Sequence, residues 1–154
     1  MLIFIFTLLL QNRIYLLTKN DFMKKKILAI DDEKSIRFII ENTFNKDFEV
    51  TTLNNGMDAL IYLQSGNLPD IIICDVEMPV LNGFEFIRRI RESGFFEEIP
   101  LIMLSGKEES ANKIKCFEMG ADDYVLKPFN PKELIARIKR RLEIIDRFTQ
   151  RRGF

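Results

Sequence analysis

From Met23 onward, short aliphatic runs alternate with amphipathic stretches, the pattern of repeated βα units around a parallel sheet. The runs predict five strands: Ile27 to Ile30, Glu49 to Leu53, Ile71 to Cys74, Leu101 to Leu104 and Tyr124 to Leu126. Ile71-Ile72-Ile73 and Leu101-Ile102-Met103-Leu104 are apolar at every position, as strands covered by helices on both faces must be, so they belong at the centre. Glu49-Val50-Thr51-Thr52-Leu53 mixes polar and apolar residues and suits an edge. Between strands, Ile36, Ile39, Ile40 and Phe44 predict one buried helical stripe with Ser35 as its cap. Asn130, Pro131 and Glu133 supply a cap, a first-turn proline and a reciprocal acid for a last helix lined by Leu134, Ile135, Ile138, Leu142 and Ile145. The helix from Glu109 to Met119, closed by Gly120, carries a thin stripe of Ala111, Ile114 and Phe117, which predicts loose packing.

Residues 1–22 break the pattern. Met1 to Leu10 is nearly all apolar, Gln11-Asn12-Arg13 interrupts, and Ile14 to Leu17 resumes. Neither run reaches the ~20 apolar residues of a spanning helix. The basic front and small-residue cleavage site of a secretory signal are also missing. We expect residues 1–22 to be an extension or misassigned start outside the fold, with attachment to a membrane surface as the lesser alternative. Residues 23–147 then form one domain and 148–154 a short basic tail, with no output domain after it.

Composition narrows the function. At 154 residues and 47% hydrophobic, the chain is long enough for one core without a metal or disulfide staple. Its 23 Lys and Arg balance 23 Asp and Glu, which argues against direct nucleic-acid binding. The chain has no His, which excludes serine-triad and common zinc chemistry. Cys74 and Cys116 share no metal-like spacing and read as reduced core residues of a cytoplasmic protein.

In an open parallel sheet, functional groups gather at the carboxyl ends of the strands. There the chain offers Asp31-Asp32-Glu33, Asp75, Ser105-Gly106-Lys107 and Lys127-Pro128. Asp31, Asp32 and Asp75 would repel one another unless a cation neutralised them, and an all-oxygen donor set selects a hard ion such as Mg²⁺. Lys127 and Ser105 could stabilise the oxygens of a transferring phosphoryl group, which leaves Asp75 as the in-line nucleophile and an aspartyl phosphate as product. Gly106 keeps the approach open. Glu77 and Lys107 are expected to pair across the entrance and slow hydrolysis.

These residues resemble the receiver domain of two-component response regulators over about residues 24 to 147. The resemblance lies in Asp31-Asp32-Glu33, in Asp75-Val76-Glu77-Met78-Pro79 with Asn82-Gly83, in Leu104-Ser105-Gly106, and in Gly120-Ala121-Asp122-Asp123-Tyr124-Val125-Leu126-Lys127-Pro128-Phe129. It implies a flavodoxin-like, doubly wound five-stranded parallel sheet of order 2-1-3-4-5 with five helices. It further implies Asp75 as phosphoacceptor, Mg²⁺ held by Asp31, Asp32, Asp75 and the Glu77 backbone carbonyl, a cis Lys127–Pro128 bond, and Ser105 with Tyr124 as a switch in which Tyr124 rotates inward. The phosphoryl donor would be a histidine kinase or phosphotransfer protein, and the output a downstream protein. The motifs are closest to winged-helix regulators, whose receivers dimerise on phosphorylation, and Lys113 with Glu133 and Asp123 with Arg137 match charge pairs used there.

Two alternatives stay open: a receiver-shaped scaffold that is never phosphorylated, and an aspartyl-phosphate phosphohydrolase. Such hydrolases need a second Asp two residues after the nucleophile, where Glu77 stands. A phosphorylation switch would not be an enzyme beyond its own Mg²⁺-dependent phosphorylation and dephosphorylation.

Overall fold

The computed structural model describes residues 24–106 and 110–152. Strands β1 (Lys26–Ile30), β2 (Glu49–Leu53), β3 (Ile71–Asp75), β4 (Leu101–Ser105) and β5 (Asp123–Leu126) alternate with helices α1 (Lys34–Phe44), α2 (Gly56–Gln64), α3 (Gly83–Arg91), α4 (Ser110–Glu118) and α5 (Pro131–Arg152). The strands pair in the order β2-β1-β3-β4-β5, and every pairing is parallel. The flavodoxin-like order implied by the sequence is therefore the order of the sheet. The expected extension at 1–22, and Lys107, lie outside the described residues.

Side-chain alternation divides the core in two. Leu28, Ile30, Ile72, Cys74, Leu101 and Met103 point to one face, where they meet Ala59 and Leu63 of α2, Phe86, Ile87 and Ile90 of α3, and Cys116 of α4. Ile27, Ala29, Ile71, Ile73, Ile102 and Leu104 point to the other, against Ile40 and Phe44 of α1 and Leu134, Ile138 and Leu142 of α5. Each such Ile or Leu contributes roughly 1.5–3 kcal/mol by leaving water, so the three central strands anchor the fold. At the edge, β2 is only partly buried.

Local chemistry starts the helices. Asn55 caps α2 by accepting from the Asp58 N–H at 2.9 Å, and Asn82 caps α3 by accepting from the Glu85 N–H at 2.9 Å. Asn130 accepts from the Lys132 N–H at 2.9 Å, as an N-cap should. Glu133 does not reach back to complete a capping box; its carboxylate goes forward to Arg137 at 2.9 Å. α5 runs unbroken through residues 148–152, so that part of the basic tail is helical.

Two helix faces depart from expectation. α1 begins at Lys34 with Glu33 as its N-cap, so Ser35 lies inside the helix. Ile40 and Phe44 are buried, but Ile39 is 39% exposed because the covered seam follows the i, i+4 row of Ile36, Ile40 and Phe44. On α4 the expected stripe faces outward: Ala111, Ile114 and Phe117 are exposed, and Cys116 is the buried residue. Its inner seam is Asn112, Cys116 and Met119, at i, i+4, i+7 spacing. The packing is thin, as expected, and is supplemented by Lys115 Nζ lying 4.0 Å over the Phe84 ring. Cys74 and Cys116 are both free thiols.

Candidate functional site

The parallel order brings the ends of β1, β3, β4 and β5 to one edge of the sheet. Asp31, Asp75 and Ser105, polar residues that end or follow these strands, are 1%, 3% and 1% exposed. Asp31 is tied to the sheet by its N–H donating to Leu53 O at 3.0 Å, and Lys127 by its N–H donating to Ser105 O at 2.8 Å. The Lys127–Pro128 peptide bond is cis.

One ammonium organises the pocket. Lys127 Nζ lies 2.7 Å from Asp31 Oδ2, 3.2 Å from Asp75 Oδ2 and 3.1 Å from Glu33 Oε1. One oxygen from each of Asp31, Asp32 and Asp75 also falls within 4.8 Å of the others, so these carboxylates form an all-oxygen cluster that could hold a metal ion. Asp31 Oδ2 is buried with no donor aligned on it, and the charge of Lys127 is its compensation. A buried oxygen compensated by charge alone, with no hydrogen bond to give up, suits a cation ligand.

The backbone around these acids is held as well. Glu33 N–H donates to Asp31 Oδ1 at 2.9 Å, and Glu77 N–H donates to Asp75 Oδ1 at 3.4 Å. Arg37 Nη1 donates to the carbonyls of Asp31 and Asp32 at 2.8 and 2.9 Å, clamping the acidic loop without neutralising its carboxylates. After Asp75 the chain turns sharply, with Leu81 N–H on Pro79 O at 2.8 Å and Val80 at φ 70°.

The electrostatics follow from burial and crowding. Loss of water, followed by repulsion from Asp31, raises the Asp75 carboxyl to about 6, and Lys127 only partly offsets this. Burial likewise raises Asp31. For Lys127 burial pulls the other way, but its close contact with Asp31 and the charges of Asp31 and Asp75 hold it above the ordinary lysine range. Without a cation, then, the pocket has one carboxylate poised to take a proton and an ammonium that stays charged.

Asp31, Asp32, Asp75, Ser105 and Lys127 thus share one edge, and Glu77 follows Asp75 at the rim. Tyr124 is 7% exposed and already packed inward, because it pairs in register with Met103 and shares that core face. Asp123 and Arg137 pair at 2.9 Å within the chain. Lys113 makes no ion pair among the described residues, and Glu133 is engaged by Arg137 instead. The sequence reading missed the Glu33 contact to Lys127 and the Arg37 clamp; only the adjacency of Glu33 to the two aspartates hinted at the first.

Residues 27–139 match the family model described as the response regulator receiver domain. The chain is 39% identical over 128 residues to the regulatory protein VanRc of Enterococcus gallinarum, covering 82% of this chain and 53% of that protein. It is 40% identical over 126 residues to the alkaline phosphatase synthesis transcriptional regulatory protein PhoP of Bacillus subtilis, covering 79% and 51%. Among solved structures, the chemotaxis response regulator CheY4 of Vibrio cholerae superposes with a TM-score of 0.71 at 35% identity, covering 77% of this chain and 98% of that one. The chain spans about half the length of the curated relatives it matches. No helix among the described residues is long and apolar enough to cross a membrane.

Proposed function

Since the chain belongs to the receiver domain family of two-component response regulators, we propose that it is a phosphorylation switch in which Asp75 accepts a phosphoryl group from the phosphohistidine of a kinase or phosphotransfer protein. One observation carries this reading: a 3% exposed Asp75 with Asp31 crowding it and the Lys127 ammonium 3.2 Å from its Oδ2. A structural carboxylate would not need to be buried beside a second one.

In the reaction, a carboxylate oxygen of Asp75 attacks phosphorus, the P–N bond to the donor imidazole breaks, and its electron pair stays on that nitrogen. Negative charge spreads over the equatorial oxygens, and Lys127 and Ser105 are the side chains of this edge suited to meet it. Asp31, Asp32, Asp75 and the Glu77 carbonyl would hold Mg²⁺, whose contribution is to neutralise charge at the phosphoryl oxygens. Asp75 needs no proton removed at neutral pH, because even raised to about 6 it is mostly ionised. The protein turns over no external substrate; its only chemistry is to load and lose its own phosphoryl group.

The test is labelling by a small phosphodonor such as acetyl phosphate, followed by intact-mass spectrometry. We expect one phosphoryl adduct that requires Mg²⁺ and disappears in Asp75→Asn. A parent chain that takes no label with Mg²⁺ present would make it a scaffold, and steady turnover of phosphate esters would make it a hydrolase.

A further inference from the structure

We propose that Glu33 is the positioning residue for Lys127, the carboxylate that retains the ammonium when a divalent cation occupies the three aspartates. The proposal rests on the reading of Asp31, Asp32 and Asp75 as a cation site. Of the three carboxylates around Lys127 Nζ, two belong to that cluster. A dication there takes over the charge that now compensates Lys127 and repels the ammonium. The Lys127 side chain is 11% exposed, and a charge so nearly buried is costly to leave without a partner. Glu33 is the partner outside the cluster, 3.1 Å away, with its own side chain 55% exposed. It can keep the ammonium paired at the mouth of the pocket, where phosphoryl oxygens would arrive.

The fold leaves this carboxylate free for the task. Glu33 sits at the N-cap of α1, where an acid commonly serves the helix, but its side chain makes no cap bond. Its place is set from the backbone: the Glu33 N–H is held by Asp31 Oδ1 at 2.9 Å, and the Arg37 guanidinium clamps the two preceding carbonyls. Glu33 is thus a rigid post with a side chain whose hydrogen-bond partner is Lys127. A role in the helix alone would have put its oxygens on the N–H groups of α1.

The experiment titrates Mg²⁺ alone into the full chain and into Glu33→Gln and Glu33→Asp. Affinity is read by calorimetry, and the lysine ammonium groups by ¹⁵N-edited NMR; thermal unfolding without Mg²⁺ verifies that each variant is folded. In the parent, the Lys127 ammonium signal should shift on saturation yet stay protected from solvent exchange. In Glu33→Gln the dissociation constant should rise about threefold, the size expected for one partly exposed ion pair. Its Lys127 signal should be lost to exchange once Mg²⁺ is bound. Glu33→Asp keeps the charge but not the reach, so it should lose the signal too while binding Mg²⁺ nearly as well as the parent. A signal equally protected in all three proteins overturns the proposal, as does one lost from the parent itself. A parent that binds no Mg²⁺ overturns the cation site along with it, whereas a parent that binds while both variants keep Lys127 protected refutes the role of Glu33 alone.

Discussion

A Cβ atom on Gly83 would stand 2.3 Å from the backbone oxygen of Asp75. It would also lie 2.8 Å from Met103 Cε and from Val76 Cα, and two of these three atoms are backbone that cannot step aside. Gly83 N–H donates to Val76 O at 2.9 Å, so α3 begins in direct contact with the turn that leaves Asp75. Gly83→Ala should therefore lower stability by about 2–3 kcal/mol, as overpacking does. Gly106→Ala, where an added Cβ meets nothing within 4 Å, should leave it unchanged. Urea unfolding of the two variants checks the contrast.

Asp75 makes folding pH-dependent in a direction opposite to an ordinary paired carboxylate. Its carboxyl is held at about 6 instead of the usual 3.8, so the folded chain binds this proton more tightly than the unfolded chain. Stability then falls as pH rises from about 4 to about 6 and stays lowered above that, by on the order of 3 kcal/mol at neutral pH. Asp75→Asn removes the charge but also a contact of Lys127, which leaves a net gain of about 1–2 kcal/mol at pH 7. The advantage should vanish near pH 4. Thermal unfolding of parent and variant across this range, without divalent ions, should show the curves converging on the acid side; a variant less stable at pH 7 would contradict the account.

Much of the site could be read from the chain because in a parallel sheet every strand end opens on the same edge. A polar residue after an aliphatic run, as at Asp31, Asp75, Ser105 and Lys127, is therefore already placed. The helix faces were harder. α1 carries Phe38 and Ile39 beside Ile36, Ile40 and Phe44, so its apolar residues run more than halfway round and do not single out one stripe. On α4 the buried seam contains Asn112 and Cys116, while the more hydrophobic Ile114 and Phe117 face outward. Hydropathy ranks these residues in the wrong order for burial. The Glu33 contact joins residues 94 apart in sequence and depends on side-chain reach. Arg37 binds carbonyl oxygens, which leave no mark in a residue pattern.

Val80 is a β-branched residue at φ 70°, 78% exposed, in the turn closed by Leu81 N–H on Pro79 O. Side chains branched at Cβ are strained there by roughly 1–3 kcal/mol, and the exposed Val80 side chain buries little to offset it. Val80→Gly removes the strain and adds some freedom to the unfolded chain, so a net stabilisation of about 1 kcal/mol is expected. Chemical denaturation should place its midpoint above that of the parent, and a lower midpoint would show that the turn is relaxed as it stands.

The outer face of α4, β5 and α5 combines exposed apolar side chains with charged ones. Ile114 and Phe117 are 57% and 42% exposed on α4, and Lys113 beside them makes no ion pair among the described residues. Lys113 and Glu133 line one groove, yet Glu133 is bonded to Arg137, which also holds Asp123. Pairing of Lys113 with the Glu133 of a second copy would give that lysine a partner and cover the two apolar side chains at once. Sedimentation with beryllofluoride and Mg²⁺ should then convert monomer to dimer, and Ile114→Glu should prevent this while leaving phosphodonor labelling intact. Lys113→Glu and Glu133→Lys should each weaken the dimer severalfold, and the double swap should recover part of that loss, because the facing charges are opposite again although Arg137 has lost its Glu133 partner. A double swap no better than either single variant would mean that these two residues do not face each other across copies, and a parent that stays monomeric with the mimic bound would remove the dimer altogether.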